Sequence, residues 1–284
     1  MRINNNVAAY NTYRNLTTNE ANQQKSLERL SSGLRINRAA DDASGLVTSE
    51  SLRSQIGGLT VATRNAQDGI SVVQTAEGGL NEVTTMLQRM RDLAMHAGGD
   101  GAADSTSQGA DDAEFQSLSA EIDRIAGNTN FGGQNLLSGG FKGSFTVGSD
   151  AASGNIITVN IQSDATVASA GTSGFSTTDL GLSGLSLSGT SGAQAALSAI
   201  DTAIKTVSSA RGLLGATQNR FEHAIANLQV TTENLTASES RIRDTDMAKE
   251  MTNFTKNQVL TQASQAMLAQ ANSAPQQVLQ LLRG

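Results

Sequence analysis

The longest regular pattern of hydrophobic and polar positions in this chain runs from Ala193 to Ile242. Steps of alternately four and three residues through this stretch meet fifteen positions, and eleven of them are apolar. A heptad pattern of this length predicts a long helix that packs against other helices along one stripe, which we call a seam. The seam side chains expected to be buried are Leu197, Ile200, Ile204, Val207, Leu214, Phe221, Ile225, Leu228, Leu235 and Ile242.

A second heptad pattern predicts another long helix over residues 43–97, ended by Gly98 and Gly99. Glycines within this helix are tolerable if they let a neighbouring helix approach closely. We expect this helix to be the intramolecular partner of the 193–242 helix. Its seam side chains are Leu52, Ile56, Leu59, Ile70, Val73, Leu80 and Leu87.

Both ends of the chain show weaker helical patterns, and we expect them to lie side by side. Residues 1–36 are rich in Asn, Gln and Thr, whereas residues 243–284 continue as helix with a shift of heptad phase near 244–246. A segment this poor in apolar side chains buries too little surface to offset its ordering entropy, so we expect residues 1–36 to fold only against a partner. The side chains expected to pack on association are Val7, Tyr10, Leu27, Leu30, Met251, Phe254, Leu260, Met267 and Leu268.

The middle of the chain has a different pattern. FKGSFTVG and NIITVNIQ alternate like strands around a small polar turn, which predicts a β-hairpin. A short helix is expected from Asp111, as its cap, to Ala126. The fold class is therefore mainly α, with long antiparallel rods or coiled coil formed by the N- and C-terminal segments and a small hairpin region between them. The expected domains are 1–40 with 243–284, 41–140 with 190–242, and 141–189.

Composition narrows the class of protein. The single proline lets helices run uninterrupted, and the aromatic content of 3% means that the core must be aliphatic. The net charge of −6, with signs interspersed, disfavours a nucleic-acid partner. The absence of cysteine excludes disulfides and thiolate metal sites. No apolar run is long enough to predict a membrane span, and the first residues lack the apolar region of a cleavable secretory signal.

Catalytic chemistry is not indicated by any motif. The two histidines, His96 and His223, are not in a zinc-binding HExxH pattern, and no phosphate-binding P-loop occurs. We therefore expect no enzyme activity, no metal and no cofactor.

Several segments resemble bacterial flagellin. They are LERLSSGLRINRAADDASGLVTSESLRSQIGGL, LQRMRDLA, EIDRIAGNTNFGGQNLL and RIRDTDMAKEM, and the resemblance covers residues 1–140 and 190–284. It implies export unfolded through the flagellar type III channel and self-polymerisation into an extracellular filament used for motility, with the terminal helices lining the tube. Two alternatives remain: a hook–filament junction (hook-associated) protein of the same superfamily, and a secreted helical-bundle adhesin or immune ligand.

The resemblance also implies partners. A flagellar export chaperone would bind the C-terminal segment, and hook-associated and cap proteins would meet the filament. Host flagellin receptors are the remaining expected partners. Residues 28–49 resemble the epitope perceived by plant receptors, although they also form the junction between helices. The face recognised by the vertebrate flagellin-sensing toll-like receptor corresponds here to Gln88, Arg89, Leu93 and Glu114.

Overall fold

The computed structural model describes residues 5–99, 105–150, 152–162 and 174–281. The fold is mainly α, as predicted, with two small hairpins in the middle of the chain. The helices of the described residues are α1 (Val7–Ser32), α2 (Ala43–Ala97), α3 (Ser105–Asn128), α4 (Gly189–Arg243) and α5 (Met247–Leu281). The strands are β1 (Asn130–Phe131), β2 (Gln134–Asn135), β3 (Phe141–Thr146) and β4 (Ile156–Ile161).

The predicted hairpin is confirmed as the antiparallel pair β3–β4. Its register places Phe141 opposite Ile161 and Thr146 opposite Ile156. The β1–β2 hairpin was not predicted. Its turn is made by Gly132 and Gly133, whose φ angles of 59° and 82° lie in the left-handed region that favours glycine.

The contacts of the chain group into two compact units. One comprises Met1–Gln55 and Glu233–Gly284, which we call the terminal unit, and the other is Ile56–Thr232, which we call the central unit. The borders between the units fall within α2 and α4, whereas the sequence suggested borders near residues 40 and 243. The domain division inferred from the sequence stays a prediction.

The central unit contains a continuous core that is mainly aliphatic and includes three buried phenylalanines, Phe115, Phe175 and Phe221. Ion pairs join Arg91 to Asp201 at 2.8 Å and Arg211 to Glu77 at 3.6 Å, so α2 and α4 run antiparallel. No seam residue of either helix is exposed. Those fully buried in this unit are Leu59, Val73, Leu80, Leu87, Ile200, Val207, Leu214, Phe221 and Leu228.

Helix α3 begins earlier than the sequence suggested. It starts at Ser105 rather than at Asp111, and it continues to Asn128. Asp111 does not cap the helix, because it lies within it, and its carboxylate lies 2.6 Å from His96 Nδ1. The predicted cap was therefore wrong: the acidic side chain contacts another helix instead of the start of its own.

The junction between α4 and α5 also differs from the expectation of a continuous helix with shifted phase. Helix α4 ends at Arg243, and the chain there pairs with the segment after α1: Arg35 donates its N–H to the Arg243 carbonyl at 2.6 Å, and Thr245 donates to Gly33 at 2.9 Å. Asp246 then caps α5, since its carboxylate accepts the N–H groups of Ala248 and Lys249. The phase shift marks a helix break within the terminal unit.

Candidate assembly surface

Helices α1 and α5 pack along each other in the terminal unit, so the two chain ends lie side by side as predicted. The Asn6 side chain caps α1 by accepting the N–H of Ala9. The helix ends at Gly33, whose φ of 72° closes the last turn in the left-handed conformation.

The seam between α1 and α5 has heptad spacing but a polar composition. Four of the seven seam residues on each helix are polar. A seam of this composition contributes much less hydrophobic stabilisation than an aliphatic one. The buried or half-buried seam residues are Ala9, Thr12, Leu16, Asn19, Gln23, Ser26 and Leu30 on α1, and Glu250, Phe254, Asn257, Thr261, Ser264, Leu268 and Ala271 on α5.

Hydrogen bonds across this seam set its register. Asn19 Nδ2 donates to Ser264 Oγ at 3.0 Å, and Thr261 Oγ1 lies 3.4 Å from Gln23 Oε1. Such bonds exchange for bonds to water on unfolding, so each contributes only about 1 kcal/mol. The seam aligns the two helices without holding them together strongly.

An ion pair with a buried carboxylate lies at one end of the same seam. Arg29 Nη1 is 3.9 Å from Glu250 Oε2, and Glu250 is 7% exposed. The Arg29 Nε atom is buried and has no hydrogen-bond partner within the chain. A long contact of this kind offsets the cost of desolvating the two charges poorly, so it adds alignment rather than stability.

Large apolar side chains of α1 and α5 point away from the seam. Nine of them are between 39% and 72% exposed. The pair is therefore inverted, with polar groups inside and apolar groups outside, and we call this outer set the outward surface. Its members are Val7, Tyr10, Tyr13, Leu27, Met247, Met251, Val259, Leu260 and Met267.

On α5 the exposed apolar residues surround the helix. With roughly 100° of rotation per residue, Met251 and Leu260 flank the seam on opposite sides, and Val259 points almost directly away from it. Met251, Val259 and Leu260 border one apolar depression. Apolar side chains exposed on so many sides of a helix are normally covered by partners, and α1 covers the seam side of α5.

Buried apolar groups in the terminal unit are scarce among the described residues. Only Leu16 and Ile36 are buried hydrophobic residues there, whereas the other buried hydrophobic residues lie between Leu59 and Leu228 in the central unit. The described part of the terminal unit thus exposes nine large apolar side chains on α1 and α5 and buries only two hydrophobic residues.

The predicted assembly residues divide into two groups. Leu30, Phe254 and Leu268 lie in the seam. Those on the outward surface are Val7, Tyr10, Leu27, Met251, Leu260 and Met267. The sequence-based list missed Tyr13, Met247 and Val259. Alternating steps of three and four residues along the sequence from Ala9 to Leu30 would have identified the seam positions of α1. The remaining apolar residues would then have been assigned to the outward surface.

The loop after α1 is held by an ionic network. Lys25 Nζ lies 2.5 Å from Asp41 Oδ1, and Asp41 Oδ2 accepts the backbone N–H groups of Asn37 and Arg38. The hydrogen bond from Lys25 and those two N–H groups lower the pKa of Asp41 to about 2. Glu28 accepts hydrogen bonds from the side chains of Asn37 and Arg38.

The four candidate receptor-recognition residues lie in the central unit but are not equally accessible. Arg89 makes a bidentate pair with Glu114, with distances of 2.7 and 3.0 Å, and Gln88 is exposed beside it. The hydrogen bond to Arg89 lowers the pKa of Glu114. Leu93 is only 5% exposed, because it packs in the aliphatic core. Leu93 is thus the least accessible of the four candidate residues, and the recognition role of the set stays a prediction.

Metal-binding and membrane-spanning features are not found in the described part of the chain. No group of three or more His, Cys, Asp or Glu residues there could hold a metal ion. Likewise, none of the described helices combines the length and the apolar character that a membrane crossing requires.

Comparisons with known proteins agree on one family. The model of the bacterial flagellin N-terminal helical region matches residues 3–142, and that of the C-terminal helical region matches residues 197–282. The flagellins of Bacillus subtilis (strain 168) and Halalkalibacterium halodurans are 46% and 48% identical, respectively, over the full length of both chains.

Two solved structures are similar to this chain. A Bacillus cereus flagellin crystal structure is 30% identical and covers 58% of this chain and 88% of its own, with a TM-score of 0.49. A structure assigned to a flagellar hook-associated protein of Vibrio parahaemolyticus has a TM-score of 0.58, covering 72% of this chain and all of its own. At 14% identity, that second likeness shows the fold alone. On the matches over its full length, the chain belongs to the bacterial flagellin family.

Proposed function

We propose that this flagellin assembles into the extracellular flagellar filament by burying the outward surface of its α1–α5 pair against sister copies. Flagellins are the structural subunits of that filament, and no observation favours a hook-associated role for this chain. The observation that supports the proposed assembly mode is the inverted pair, with a polar seam inside and large apolar side chains outside.

Energetics favour burial of this surface on assembly. Fully burying a Val, Leu or Met side chain contributes about 1.5–3 kcal/mol. Within one chain the nine outward residues contribute little of this, because they remain in contact with water. Contacts with sister copies would recover it and would offset the entropy lost on association. The same contacts would complete the order of α1 and α5, in line with the expectation that the N-terminal segment folds against a partner.

A pair of matched valines tests this proposal. Val259 on the outward surface and Val230 on α4 are both 58% exposed. We expect Val259→Ser to raise the critical concentration for growth from filament seeds by about tenfold, because it removes apolar surface that assembly buries. Val230→Ser should change it much less. Equal effects of the two substitutions, or no effect of either, would refute the proposed surface.

The export chaperone expected from the family is proposed to bind α5. This helix exposes Met251, Val259, Leu260 and Met267 around its circumference, and a free subunit needs these groups covered before assembly. Deletion of residues 245–284 should abolish co-purification with the chaperone. Cap and hook-associated proteins are proposed to cover the same outward surface on subunits at the two ends of the filament.

Recognition by a vertebrate flagellin receptor is proposed to centre on Arg89 and Glu114. Their exposed bidentate pair presents a planar cation beside Gln88, and such a guanidinium can be shared with a partner's acidic group. Arg89→Ala should reduce receptor signalling by free subunits while leaving their melting temperature unchanged. Leu93→Ala, in contrast, should lower that temperature because it creates a core cavity. Unchanged signalling by Arg89→Ala would remove this partner from the proposal.

A further inference from the structure

Methionines of this chain are unevenly placed. Of the exposed methionines among the described residues, Met247, Met251 and Met267 lie on α5, and Met95 lies on α2. Their exposed fractions are 47%, 50%, 61% and 57%, respectively. Met90 is fully buried in the core. The outward surface thus carries three methionines that are about half exposed to solvent.

We infer that Met251 and Met267, together with Met247, form an oxidation site through which peroxides block assembly of the free subunit. This inference rests on the proposed function, since it concerns the surface that assembly would bury. It adds a covalent modification, its reagent class and its sites.

The chemistry is a two-electron oxygen transfer. A lone pair of the methionine sulfur attacks one oxygen of hydrogen peroxide, an S–O bond forms and the O–O bond breaks. The departing hydroxide takes up the proton left on the transferred oxygen and becomes water. Sulfur is oxidised to the sulfoxide, and the peroxide is reduced. No metal or further co-reactant is needed.

The sulfoxide changes the outward surface in the direction that opposes burial. It replaces a flexible apolar group by a polar one that accepts hydrogen bonds from water. In the free subunit this change is tolerated, because Met251 and Met267 already face solvent. In a packed contact between subunits the sulfoxide oxygen would lose its hydrogen bonds to water without gaining a donor in their place. The oxidation therefore destabilises the assembled state and leaves the free subunit unaffected.

Assembly should in turn protect the same sulfurs. Reaction requires access of peroxide to sulfur, and the packed contact excludes solvent from it. Free subunits are therefore sensitive and subunits in the filament are resistant. Because methionine sulfoxide can be reduced back by dedicated reductases, the block is reversible.

The test compares two leucine variants of the full chain under hydrogen peroxide. One carries Met247→Leu, Met251→Leu and Met267→Leu, and the other carries Met95→Leu as the matched exposed control. Leucine is close to methionine in volume and apolar character, so it conserves the surface. Growth from untreated wild-type seeds is followed after each subunit preparation has been oxidised and the peroxide removed.

The expected results separate this inference from the proposed function. Oxidised wild-type and oxidised Met95→Leu subunits should show a critical concentration raised by about tenfold or more, whereas the oxidised triple variant should grow like its untreated form. Equal inhibition of the triple variant, or normal growth of oxidised wild type, would overturn the oxidation site. Failure of untreated wild-type subunits to grow from seeds would instead overturn the proposed function.

A second measurement holds even if the triple variant assembles poorly. Peptide mass mapping of wild type gives the rate of sulfoxide formation at each methionine in free subunits and in filaments. At Met251 and Met267 the rate should fall by about tenfold or more on assembly. Met90 should react slowly in both states, since it is buried in the core. Equal rates at Met251 and Met267 in the two states would overturn the inference.

Discussion

At the scale of single residues, a glycine sets how closely α2 approaches α4. A Cβ atom at Gly69 would lie 2.5 Å from Cζ of Phe221. The Phe221 ring cannot move aside readily, because it is fully buried and packs edge-on against Phe145 with 5.7 Å between ring centroids. Gly69 is therefore required by packing rather than by backbone conformation.

Gly69→Ala should lower the free energy of unfolding of the central unit by about 1–3 kcal/mol, through overpacking against Phe221. The control is Gly78→Ala in the same helix, where no atom lies within 4 Å of the added Cβ. That change should stabilise by up to about 1 kcal/mol, because alanine favours helix over glycine. Urea unfolding of the two variants measures the change in the free energy of unfolding that each substitution causes. Destabilisation by Gly78→Ala would contradict the packing argument.

The lowered pKa of Asp41 makes the stability of the fold depend on pH. The pKa of about 2 in the folded chain lies below the ordinary value of 3.8, so the ionised carboxylate stabilises the fold. The stabilisation is present above about pH 4 and is lost as the pH falls through 2. Because Lys25 is half exposed, we expect the contribution to be about 1 kcal/mol.

Asp41→Asn should therefore lower the melting temperature at pH 6 and have a much smaller effect at pH 2. The difference between wild type and variant, rather than the wild-type profile, isolates this carboxyl from the other acidic groups. Thermal unfolding followed by circular dichroism provides the comparison. A difference that persists unchanged at pH 2 would show that the hydrogen-bonded charge is not its cause.

At the scale of elements, the terminal pair α1–α5 owes its alignment to polar groups. Gln23 and Thr261 occupy seam positions where an aliphatic pair would be more stabilising. This weakness suits a subunit whose ends complete their packing only with other copies. It also makes the pair easy to strengthen.

Gln23→Leu should slow amide hydrogen exchange in α1 and α5 by about tenfold, because a half-buried polar side chain is replaced by an apolar one in the seam. Gln24→Leu is the matched control, since Gln24 is exposed on the next position of the same helix. It should leave exchange nearly unchanged. Equal protection from the two variants would show that the seam assignment is wrong.

Element boundaries were predictable where local chemistry determines them. Helix α2 spans Ala43–Ala97, as expected, because a long apolar seam is followed by two glycines. The start of α3 was missed because the apparent cap, Asp111, lies inside the helix and contacts His96 instead. The break after Arg243 was missed because the chain there pairs with a distant segment, at Arg35. Single-sequence patterns contain no direct record of such contacts.

The candidate surface was only partly predictable for a related reason. Apolar residues of the terminal helices were expected to pack on association, without a division between those facing the paired helix and those facing outward. In α1, Tyr10 and Leu27 are exposed, while Ser26 is buried. A rule that places apolar groups inside one chain fails here, as we expect for a subunit that buries them against other copies.

At the scale of the whole molecule, the two compact units differ in where they bury apolar groups. The central unit encloses an aliphatic core within one chain, and the described part of the terminal unit buries only Leu16 and Ile36 as hydrophobic residues. The described part of the central unit thus has a core of its own, and that of the terminal unit has almost none. We expect this difference in a subunit that stays single when dilute and polymerises on a seed.

The absence of cysteine makes the central claim directly measurable. Val259→Cys introduces the only thiol of the chain on the outward surface. Thr158→Cys, on the hairpin of the central unit, introduces a single thiol as the control. The rate of maleimide labelling is then measured for free subunits and for filaments. Assembly should slow labelling at position 259 by about tenfold or more while position 158 stays reactive. Equally fast labelling at position 259 in both states would contradict burial of the outward surface.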